Sequence, residues 1–146
     1  MIWVFRHGIM INRPIEVVFT WVTDPTKATH WHLDLVEAKI LTSGPIRVGT
    51  RIKETRWLGI SKLHILREII RYEPPIKYDY TYLDGCGPFQ LANDFTFTPV
   101  ENGTLVQFTA NITASFPFYL LLFIPVLILR RHIQKNFARL KQLLEK

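Results

Sequence analysis

Cysteine is nearly absent from this chain: Cys86 is the only one in 146 residues. No intrachain disulfide can form, so a disulfide-stapled scaffold is excluded and a cytoplasmic setting is expected. A long hydrophobic run is missing as well. The most apolar stretch, "FPFYLLLFIPVLIL" (Phe116–Leu129), is 14 residues and is interrupted by Pro117 and Pro125. At ~1.5 Å per residue a helix of that length reaches roughly 21 Å, short of a hydrocarbon core of about 30 Å. A membrane-spanning helix is therefore not expected. The opening "MIWVFRHGIMI" has no basic leader, extended apolar core or small-residue cleavage site, and is not read as a signal peptide. The Asn-x-Thr sequons at Asn102 and Asn111 then carry little weight.

Net charge is scarce over most of the length. Residues 1–129 hold 12 Lys/Arg against 11 Asp/Glu, a net of +1, whereas residues 130–146 carry +5. The body is nearly neutral and the basicity belongs to the final segment, which argues against a general nucleic-acid surface; no helix-turn-helix, zinc-finger or RNP pattern occurs. There is also no phosphate-cradling glycine loop and no nucleophile elbow. "GCGP" around Cys86 reads as a turn, with the cysteine a small neutral residue. His30-x-His32, followed by Asp34, lacks the further ligands and geometry of a metal site and reads as a polar mouth beside Trp31. Neither metal nor cofactor is expected.

What is present describes one globular domain over residues 1–146, with 48% apolar and 21% charged residues. "IWVFRHGIMI" approaches alternation and is rich in β-formers, a first strand. Pro14 opens a short helix with Ile15, Val18, Phe19 and Val22 on one face, and Asp24-Pro25 opens a second that ends near Trp31-His32. From about Leu33 to Ala114, five or six strands alternate with turns at Gly44-Pro45, Gly59, Pro74-Pro75, Gly85–Pro88 and Asn102-Gly103, which together describe an antiparallel sheet. Gly103 is expected to supply a positive φ to its hairpin. The last segment returns to helical period: Val126, Leu129, Ile133, Phe137, Leu140 and Leu144 form one stripe. Its first half is apolar around most of the circumference, so it needs cover from another subunit, a lipid surface or the rim of a cavity. Pro125 is expected to kink it.

In this order of elements the chain resembles the SRPBCC superfamily (START-like or birch-pollen-allergen-like), and within it the polyketide cyclase/dehydrase and lipid-transport group. The likeness is carried by "INRPIEVVFTWVTDPTKATHW", "SGPIRVGTRIKE", "YEPPIKYDY" and "FTFTPVENGTLVQF". It implies an α+β helix-grip fold, a curved antiparallel sheet wrapped around a long C-terminal helix with two short helices after the first strand. It also implies an apolar cavity between sheet and helix that takes lipids or other hydrophobic small molecules, in carriers and in enzymes. The motifs are structural punctuation and do not choose between those activities.

Candidate site residues come from the strands and the last helix. Ile52, Glu54, Arg56 and Leu58 share one face of their strand. In the next, Lys62, His64 and Glu68 alternate with Leu63, Ile65, Arg67 and Ile69. The more apolar set is the default inward choice, which leaves His64 in water; under the opposite register Glu54, His64 and Glu68 could form an acid–base group, with Glu54 and His64 the catalytic candidates. Tyr78, Tyr80 and Tyr82 share one face of the next strand, and Leu91, Asn93, Phe95 and Phe97 share one face of the following one. The expected ligand-binding set is Trp31, Tyr80, Asn93 and Phe97 from the walls and Phe118, Leu121, Leu122 and Val126 from the helix. The function expected is binding or transport of a hydrophobic small molecule or lipid; the alternative is a cyclase/dehydratase-like enzyme using polar residues of the same cavity. Two further contacts are considered, a peripheral one with anionic membrane and a homodimer through the apolar start of the last helix.

Overall fold

The computed structural model describes residues 2–146. Strand β1 (Ile2–Ile11) leads into helices α1 (Ile15–Thr23) and α2 (Pro25–Trp31). Asp24 caps α2 as its position suggests, accepting from the Thr26 backbone N–H at 2.9 Å, while Pro25 occupies the first turn where no donor is needed. Six strands follow: β2 (Leu35–Ile40), β3 (Arg51–Leu58), β4 (Ser61–Glu73), β5 (Lys77–Asp84), β6 (Phe89–Val100) and β7 (Gly103–Ala114). They join β1 in one antiparallel sheet of order β1-β7-β6-β5-β4-β3-β2, so β1 and β2 form its open edges. A 3-10 turn (Phe118–Leu121) precedes the final helix α3 (Phe123–Leu144).

Helix α3 lies against the curved sheet through the stripe legible in its sequence: Ile133, Phe137, Leu140 and Leu144 are buried. Full burial of such a side chain contributes about 1.5–3 kcal/mol relative to exposure. Phe137 sits at the centre, its ring centroid 5.7 Å from those of Trp31 and Phe108 and 6.1 Å from that of Phe95. The C-terminal end is tied to the β1–α1 corner. The Arg13 side chain donates to the Leu144 carbonyl at 2.8 Å, and the Asn12 backbone N–H donates to Glu145 Oε2 at 2.9 Å.

Two expectations are corrected. Pro125 does not kink α3, because the helix starts only at Phe123 and places the proline in its first turn, where the missing N–H has no partner to lose. At the β6–β7 hairpin the positive φ belongs to Asn102 (67°) rather than to Gly103. Glycine at 103 answers a different constraint: a Cβ there would lie 2.4 Å from the Ile11 carbonyl oxygen and 3.1 Å from Asn12 Cα. Only a residue without a side chain lets β7 begin this close to the end of β1. Gly103→Ala is accordingly expected to destabilise the fold by about 1–3 kcal/mol through overpacking. The measurement is the urea midpoint at constant m; an unshifted midpoint would show that the corner yields freely.

Candidate functional site

The sheet and α3 do not meet everywhere. Between them lies a cavity of about 130 Å³. Tyr80, Phe95 and Phe108 supply its sheet wall, Leu129, Ile133 and Phe137 its helix wall, and Trp31 from α2 closes one side. These side chains converge because each strand presents alternate residues inward, and because Leu129, Ile133 and Phe137 recur at four-residue steps along one helix face. Asn93 interrupts the apolar lining. It stands opposite Tyr80 in the β5–β6 pairing, is 5% exposed, and its Oδ1 is a buried acceptor with no hydrogen-bond partner among the described residues. An unmet buried acceptor costs on the order of 1–3 kcal/mol, so it is a group a guest molecule would satisfy.

An ionic seam runs along the other side. Glu54, 3% exposed, sits between two arginines: Arg56 Nε donates to its Oε1 at 3.2 Å and Arg67 Nε to its Oε2 at 3.1 Å. Arg67 also donates to the Tyr78 hydroxyl at 2.6 Å and lies 4.4 Å over the Tyr80 ring. Arg56 reaches Asp34 at 3.0 Å, and Asp34 in turn faces His132 Nδ1 of α3 at 3.5 Å. Burial alone would raise the Glu54 carboxyl, but Arg56 and Arg67 outweigh it and hold the group at about 2. His32 is pushed down to about 3 by burial and by the Arg56 charge. Its Nδ1 faces Asn136 Nδ2 at 3.3 Å, while Asn136 Oδ1 accepts from the Leu33 N–H at 3.0 Å, an arrangement that suits a neutral imidazole. Burial raises the Cys86 thiol, on the cavity rim, to about 11, so it stays protonated.

Of the residues expected to bind ligand, Trp31, Tyr80 and Asn93 line this cavity. Phe97 lies in the core against Phe19 and Phe95. Phe118 and Leu121 are exposed on the 3-10 turn, Leu122 is fully buried and Val126 half-buried, and none of the four borders the cavity. The hollow lies further along the chain because α3 begins late. Glu54 and His64 do not form a pair. Glu54 is opposite Ile65 and points inward, whereas His64 is opposite Thr55, exposed, and 3.3 Å from its hydroxyl. β4 thus takes the default register, with Ile65 and Ile69 inside; the Leu58 side chain lies outside the described residues. In the sequence Asp34 reads only as part of a polar mouth beside Trp31, and sequence reasoning missed Arg67, His132 and Asn136. A usable signal existed for the last two, polar residues four apart beside the apolar stripe of α3.

The seam makes stability acid-sensitive. Glu54 titrates lower in the folded chain than in the unfolded one, so its contribution is complete above about 4.5 and is lost as pH falls toward about 2. His32 acts in the same direction: the unfolded imidazole binds a proton below about 6.5 while the folded one stays neutral to about 3. The urea midpoint is expected to fall from pH 7 to pH 4.5, before Glu54 matters, and His32→Asn should flatten that part of the profile. A flat wild-type profile across that interval would refute the assignment.

The sequence matches the family described as polyketide cyclase / dehydrase and lipid transport over residues 3–145. No curated protein matches it. Among solved structures the fold is similar to TTHA0849 from Thermus thermophilus, with a TM-score of 0.78 and 17% identity over 95% of this chain and 94% of that one. It is similar to ginseng major latex-like protein 151 from Panax ginseng, with a TM-score of 0.77 and 9% identity over 99% of both chains. It is also similar to the di-domain ARO/CYC protein StfQ from the steffimycin biosynthetic pathway, with a TM-score of 0.82 and 11% identity over 99% of this chain and 51% of that one. At such identities the structures speak for the helix-grip architecture alone, and the family match carries the assignment: the chain belongs to the polyketide cyclase/dehydrase and lipid-transport family of the SRPBCC superfamily.

Proposed function

We propose that this protein binds a small aromatic molecule bearing one hydrogen-bond donor, in the cavity between the sheet and α3. The observation that carries the reading is an aromatic-walled hollow containing one unpartnered acceptor, Asn93 Oδ1. Its size selects the guest: an apolar cavity of ~150 Å³ accepts benzene, so about 130 Å³ suits a single ring. Burial of the ring against Tyr80, Phe95, Phe108 and Phe137 supplies affinity at ~25 cal/mol per Å², and Asn93 selects orientation. Binding rather than bond-making is favoured because the most buried acid, Glu54, is committed to two arginines. The lone thiol, protonated Cys86, suits action inside the cell.

Calorimetric titration with p-cresol and toluene tests this directly. Wild type is expected to bind p-cresol more tightly, and Asn93→Leu to erase most of the preference, about two- to tenfold for one hydrogen bond. Ile133→Phe, which fills the hollow, should abolish binding of both. No binding of either compound to the wild type would end the proposal.

One observation favours a second reading, cyclase/dehydratase chemistry: His132 and Asp34 stand 3.5 Å apart on the cavity wall, where an imidazole oriented by a carboxylate could move a proton. In that case a poly-β-ketone thioester mimic is turned over, and His132→Gln lowers the rate about 10²-fold or more. Equal rates for enzyme and buffer would remove it.

A further inference from the structure

The antiparallel pairing gathers the start of β1, the end of β7, the β5–β6 turn, the β3–β4 turn and the entry to β2 at one end of the sheet. This end is unusually greasy. Ile60 is 100% exposed and Phe116 73%, and Trp3, Leu33 and Trp57 are exposed as well. The chain leaving β7 adds Leu120 and Leu121 from the 3-10 turn, then Phe123, Ile124, Leu127 and Ile128 from the outer face of α3. An exposed apolar surface of this extent on a folded chain marks an interaction site.

The charge beside it identifies the partner. No Asp or Glu occurs from Asn102 to Leu144. Directly after the apolar face the same exposed side of α3 carries Arg130, Arg131 and Lys135. Leu127 and Arg131 are four residues apart, about 6 Å along the axis, so a helix entering the surface by its first turns keeps the guanidinium one turn behind the apolar side chains. With Phe123–Ile128 at the acyl boundary, the guanidinium groups stand level with lipid phosphates. Asp84 is an exposed acid at the same end, and Lys62, over the Trp57 ring at 5.4 Å, a further cation. The same face of a second copy, with no acid between Asn102 and Leu144, offers Arg130 and Arg131 no countercharge; an anionic bilayer neutralises them. Among the described residues no helix is long and apolar enough to cross a membrane, so the contact is peripheral.

We infer that this end of the molecule docks on an anionic lipid surface, with the 3-10 turn and the first two turns of α3 seated in the interface. Cys86 and Leu129, both on the cavity wall, belong to the same end, so docking turns the hollow toward the bilayer. Docking follows from the surface alone; the entry of a guest from the lipid phase rests on the cavity reading above.

The full chain is to be sedimented with vesicles of phosphatidylcholine, with and without phosphatidylglycerol. Pelleting is expected with the anionic vesicles, weakened by salt. Arg130→Gln and Arg131→Gln should each weaken it about fivefold, and Leu127→Glu about tenfold or more on both compositions. All three positions are exposed, and circular dichroism verifies that the variants fold. Absence of pelleting, or equal pelleting by wild type and Leu127→Glu, overturns the inference. So does a dimer in solution that Leu127→Glu dissociates without any vesicle binding. Ile133→Phe should pellet normally while losing p-cresol, which separates failure of docking from failure of the cavity.

Discussion

The clamp of Glu54 between Arg56 and Arg67 governs how this molecule is built. Two guanidinium groups inside a small domain would be costly alone, and a carboxylate between them offsets part of that cost while the Tyr78 hydroxyl and Asp34 occupy remaining donors. Glu54 and Arg56 lie on β3 and Arg67 on β4, and Arg56 connects through Asp34 to His132 of α3, so the seam bridges sheet and helix at the border of the cavity. Aromatic rings border much of the remaining space. A core of aliphatic residues at the same positions would be free to collapse into that space.

Much of the architecture was legible because punctuation in this sequence is strong. Asp24-Pro25, the Gly85–Pro88 cluster and Asn102-Gly103 each mark a boundary that the structure respects, and the α3 stripe from Ile133 to Leu144 announces which side is buried. The strand faces were legible from Ile65 and Ile69. Arg67, two residues from each, was not, because alternation assigns a position to a face without revealing that a distant carboxylate awaits it there. The error at the head of α3 has a similar origin. Hydrophobicity is continuous from Phe116 to Leu129, and only backbone geometry separates the 3-10 turn from the helix proper, which shifts the hollow toward Leu129 and Phe137.

Tyr80 and Asn93 show how a local pattern becomes a site. Each lies on the inner face of its strand, and the β5–β6 register sets them opposite one another. Sequence alone supplies both faces, but whether the wall is packed or hollow depends on where Phe137 settles among Trp31, Phe95 and Phe108. Three solved structures of this architecture are only 9–17% identical to the chain, so the fold tolerates nearly complete exchange of side chains. What distinguishes this protein is therefore the identity of the few polar groups bordering the space.

The asymmetric fastening of α3 has a mechanical meaning. At Leu144 and Glu145 the backbone is moored by Arg13 and Asn12, and midway Asn136 accepts from the Leu33 N–H, whereas the beginning at Phe123 has no side-chain cap and a largely exposed apolar face. Such a rod behaves as a cantilever: displacement is smallest near the moored tip and grows toward the opposite one. Widening of the space beneath would pivot from the corner at Arg13, and the amplitude would be greatest where the greasy face stands.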